Sequence, residues 1–128
     1  MSALNNKARF LKDAGKLNES LHSLEAALKL SPNDTASLVV LCHFFATRAS
    51  KNTSKLIKAV EYCDHALAFD ENHLGALYNK GFALIAMEHY RDAEVVLNQV
   101  LRLDPGHYGA NMVRKIHEVM PPVVTHFF

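Results

Sequence analysis

Cysteine is scarce in this 128-residue chain, with Cys42 and Cys63 as its two copies. They form no Cys-x-x-Cys pair and no disulfide framework. Both fall at positions that face a neighbouring helix, so the expectation is two reduced core thiols. An excess of one charge is also missing: 14 basic against 13 acidic residues leave a formal net charge of +1. Nucleic-acid binders usually carry a basic excess or stripe, so nucleic acid is not expected as a partner. No apolar stretch approaches the ~20 residues of a membrane helix. The N-terminus lacks the apolar run of a signal peptide, and a cytoplasmic location is expected. Asn18-Glu19-Ser20, Asn33-Asp34-Thr35 and Asn52-Thr53-Ser54 fit the glycosylation pattern but read more simply as helix caps and loops.

Motifs of chemistry are equally thin. The eight histidines form no His-x3-His pair and none sits beside cysteine at zinc-finger spacing. No phosphate-binding glycine loop or Gly-x-Ser-x-Gly elbow occurs. No catalytic residue, metal or cofactor is expected. A hydrolase built from non-adjacent residues is kept only as a remote reading.

What is present is a repeated pattern. Leu77, Lys80, Gly81 and Leu84 are followed by Tyr90, Ala93, Leu97, Val100 and then Asp104-Pro105. The spacing is that of a helix, a tight turn and a second helix stopped by proline. Laying Pro32 on Pro105 brings the start of the chain into register: Leu4 on Leu77, Ala8 on Gly81, Ser20 on Ala93, Leu24 on Leu97 and Leu30 on Leu103. A middle copy, Thr35 to His73, carries Leu38, Leu41, Cys42 and Phe45, then Leu56, Ala59, Cys63 and Ala66. Glu71 stands where the other copies have proline, and the extra length of this copy falls between its helices, at Ala49 to Ser54.

These residues resemble the tetratricopeptide repeat, a helix-turn-helix unit of about 34 residues. The resemblance implies an all-α right-handed superhelix of three repeats, about 1–34, 35–73 and 74–107. A seventh, capping helix follows at about 108–120, with an apolar tail at 121–128. Helices are predicted at Ser2 to about Ala14, after an Asn18 cap, at Thr35–Arg48, Ser54–Phe69, two within 77–105, and Tyr108–Met120. Small residues such as Gly81 and Ala93 let paired helices approach closely. Arg48, Lys51, Lys55 and Lys58 form a basic edge, read as solvated or as a dock for an acidic partner.

The resemblance also implies a function. First helices of successive repeats line a concave groove that commonly holds a peptide or a partner's helix. Carried over, the groove comprises Asn5, Asn6, Arg9 and Asp13, then Val39, Val40, His43 and Thr47. Tyr78, Asn79, Phe82 and Ala86 follow, with Val113 and His117 from the last helix. Such a lining suits an apolar side chain or an amphipathic helix. Co-chaperone members grip a chaperone's C-terminal carboxylate with five polar residues, whose positions fall on Asn5, Arg9, Val40, Gly75 and Asn79. Arg9 alone is cationic, so no conventional carboxylate clamp is expected. The leading reading is a non-enzymatic adaptor for a protein or peptide. The alternative is a structural module that forms a homodimer through the last helix and tail.

Overall fold

The computed structural model describes residues 17–120 as six α-helices: α1 (Leu17–Leu30), α2 (Thr35–Arg48), α3 (Thr53–Phe69), α4 (Leu74–Ala86), α5 (Tyr90–Leu103) and α6 (Gly109–Val119). The predicted first helix and the tail lie outside the described residues, as do Asn5 and Arg9. Chain from Leu17 is already helical, so Asn18, expected as the cap, stands inside the first turn of α1.

Consecutive helices pack on one another, and α2 also packs directly on α4. That second contact makes a stack of hairpins rather than a string of them. The larger core joins Leu24 of α1, Leu38, Leu41, Cys42 and Phe45 of α2, Leu56, Ala59 and Cys63 of α3, and Ala76 and Ala83 of α4. A smaller core joins Leu84, Ala93, Leu97 and Ile116, tying α6 to the hairpin before it. Leu24, Leu38, Leu41, Leu56 and Leu97 are fully buried, each stabilising the fold by about 1.5–3 kcal/mol.

Polar links repeat with the apolar ones. The Asn33 side-chain oxygen, in the turn after α1, accepts from His65 Nε2 of α3 at 3.3 Å. One repeat on, Gln99 of α5 donates to the Asn72 side chain and to the Glu71 carbonyl, each at 3.3 Å. Each second helix thus holds the turn that precedes its own hairpin. Lys80, at a position where the family pattern has leucine, reaches across to Asp64 of α3 at 2.6 Å. The flexible stem packs while the ammonium finds a carboxylate.

Turns within the hairpins use the left-handed backbone. Ser50 has φ 54° and Glu88 has φ 64°. After α4, His89 N–H bonds Leu84 C=O and Glu88 N–H bonds Ile85 C=O, both at 2.8 Å. That pair closes the last turn of α4 as a Schellman motif, with Glu88 in the left-handed seat glycine usually takes.

The cysteines depart from expectation. Cys42 and Cys63 are a disulfide, with Cα atoms 5.4 Å apart, and each is fully buried. Facing positions on two closely crossed helices fall in the Cα range a disulfide needs. A separation of 21 residues hides that distance in the sequence. The cysteines therefore lend the cytoplasmic expectation no support, since disulfides persist in oxidising surroundings.

Candidate protein-interaction groove

The described positions that the repeat pattern assigns to the groove lie mostly on α2 and α4, the first helices of two successive hairpins. Val39, Val40, Phe82 and Ala86 are half-buried against the larger core. Each packs against the core and keeps part of its surface exposed. His43 and Asn79 join the two helices, with the Asn79 side-chain oxygen accepting from His43 Nδ1 at 3.2 Å. Asn79 is 8% exposed, so that bond satisfies a buried amide that would otherwise cost about 1–3 kcal/mol. Thr47, one turn beyond His43, turns its hydroxyl back to donate to the His43 carbonyl at 2.8 Å.

Tyr78, one helical turn before Phe82 on α4, belongs to an aromatic group that sequence reading did not assemble. Its ring lies 4.8 Å from Tyr108 and 5.4 Å from His107, and those two rings stack at 4.2 Å. Tyr108 is exposed. His107 Nδ1 accepts the Gly109 amide at 2.9 Å, at the entry to α6, which orients the ring. Burial, and secondarily Tyr108, push the Tyr78 phenol above the ordinary tyrosine value. It therefore stays a neutral hydroxyl through the physiological range. The missed signal was the pair His107-Tyr108 in the turn before the last helix, where the preceding repeat has His73-Leu74.

The last helix contributes differently. Val113 packs against the smaller core, and His117 Nε2 meets a carboxylate oxygen of Glu94 on α5. Both are engaged with the preceding hairpin. Of the clamp positions within the described residues, Val40 is apolar, Gly75 has no side chain, and Asn79 is held by His43. No cation is among them. Among the described residues no cluster of three metal-ligating side chains occurs, and no helix is long and apolar enough to cross a membrane.

Two tetratricopeptide repeat models match the chain, over residues 54–116 and 2–34. FK506-binding protein 59 of Drosophila melanogaster is 28% identical over 94 residues, which are 73% of this chain but 20% of that protein. The chain thus spans about a fifth of that curated relative. Among solved structures, the first such domain of human RPAP3 superposes with a TM-score of 0.80 at 22% identity, covering 90% of this chain and 87% of that one. The corresponding domain of Spaghetti (RPAP3), bound to the HSP90 peptide SRMEEVD, gives 0.75 at 24%, covering 91% of each. The Arabidopsis OM64 domain gives 0.82 at 16% identity, covering 93% of this chain and 95% of that one. Paired helices stacked in register, small or cross-linked residues at their crossings and these matches agree: the chain belongs to the tetratricopeptide repeat family.

Proposed function

We propose that this protein is a non-enzymatic adaptor that holds a segment of a partner protein against the face made by α2 and α4. The observation that carries the reading is that Val39, Val40 and Phe82 are apolar, only partly buried and packed on the core shared by α2 and α4. Tyr78 and Phe82 are one helical turn apart on α4, so both reach one ligand. Among the described residues this face has no cation to offset the desolvation of a terminal carboxylate. Peptide binding by the Spaghetti domain supports the general mode. The ligand chemistry favoured here is an apolar side chain or the apolar face of a helix.

Capture from native lysate, followed by calorimetry with the captured segment, tests this. Tyr78→Ala with Phe82→Ala should weaken binding at least about a hundredfold, as loss of two aromatic anchors does. Circular dichroism would show whether the double variant stays folded. Undiminished capture by a folded double variant would refute the groove. A mass that rises with concentration in light scattering would favour the self-associating module instead.

A further inference from the structure

One corner of the molecule gathers four cations, none of them in an ion pair among the described residues. Arg48 ends α2, Lys51 lies in the turn, and Lys55 and Lys58 stand in the first two turns of α3, all four exposed. Among the described residues Lys80 pairs with Asp64 and His117 meets Glu94, and none of these four takes part in either contact. Arg48 complements the negative end of α2. The three lysines do the reverse: they crowd the positive end of α3, whose first turn holds no acidic residue. A helix dipole and mutual repulsion both disfavour that placement, so the stability of the chain does not explain it.

The corner is also partly preset. The Lys58 ammonium lies 5.1 Å from the centre of the Phe45 ring, which stacks on Tyr62 with ring centres 5.8 Å apart. That contact holds one cation in place without neutralising it. Lys51 lies in the stretch that makes this repeat longer than its neighbours.

We propose that this corner docks an acidic polypeptide segment, at a surface separate from the concave face. Charge complementarity names the chemistry of the occupant. A short acidic segment fits better than nucleic acid, because Glu61 and Asp64 follow on the same helix. A phosphate backbone running along α3 would meet both, whereas a short acidic segment centred on Lys51 and Lys55 ends before Asp64.

The test uses a fluorescein-labelled hexaglutamate peptide and fluorescence anisotropy at low salt. Lys51→Gln, Lys55→Gln and Lys58→Gln together should weaken binding about tenfold, the sum of three exposed ion pairs. Added salt should erase the difference. Lys29→Gln with Lys115→Gln, changing exposed lysines elsewhere, should leave binding unchanged, as should Tyr78→Ala with Phe82→Ala. The groove can therefore fail while this corner stands, and the reverse. No binding by the wild type, or equal binding by the triple variant, would overturn the proposal. So would equal or tighter binding of oligothymidylate or of phosphatidylserine vesicles.

Discussion

Two hairpins in this molecule solve one packing problem in different ways. In α4–α5 the helices meet where Gly81 faces Leu97, and a Cβ on Gly81 would stand 2.7 Å from both Cδ2 and Cγ of Leu97. In α2–α3 the matching positions are Cys42 and Cys63, joined as a disulfide. The first solution leaves one side chain out so that the other can fill the crossing. The second uses two short side chains and a covalent bond. Either gives close approach, but the disulfide alone also restrains the unfolded chain.

Several substitutions sharpen that contrast. The largest effect belongs to Cys42→Ala with Cys63→Ala, which should cost about 4 kcal/mol, combining the lost constraint of a 21-residue separation with lost core packing. Urea melts would measure it. Wild type should show no reactive thiol in denaturant until a reductant is added, and should then lose about 3 kcal/mol. Free thiols in unreduced wild type would remove the covalent half of the comparison.

Gly81→Ala should cost about 2 kcal/mol, because fully buried Leu97 must move to admit the methyl group. Trimming the facing residue should absorb part of the clash, so Gly81→Ala with Leu97→Val should cost less than the sum of the two singles. Strict additivity would show that the crossing is not where the strain arises.

The smallest effect has the opposite sign. Ser50 and Glu88 hold the left-handed conformation in the turns of the two hairpins, and Gly15 occupies the matching position of the first repeat. Glu88→Gly should raise stability by about 1 kcal/mol, since the strain removed exceeds the entropy that glycine adds to the unfolded chain. A lower melting temperature for this variant would contradict the account of the turn.

Much of the fold was legible because its determinants are local and periodic. Leu38, Leu41 and Phe45 mark the buried face of α2 at helical spacing, and Leu77 and Leu84 do so for α4. Lys80 shows the limit of pattern matching. Its place in the repeat was readable, but its ion pair with Asp64 required the neighbouring helix to be in position. The aromatic group of Tyr78, His107 and Tyr108 was hidden for the same reason, since its members lie about a repeat apart in the chain. His117 has a groove position by register, and the contact of its ring nitrogen with Glu94 across α5 and α6 needed the fold to be seen.

By itself the sequence determined which segments are helical, where they stop and that they recur, because helix period, turn chemistry and small residues act over a few neighbouring positions. Tertiary structure decided which groups distant in the chain come within bonding distance: the sulfurs of Cys42 and Cys63, the side chains of His43 and Asn79, and Lys80 with Asp64. Such distances depend on how hairpins cross and stack, and that geometry is set by the sum of many contacts rather than by any one residue.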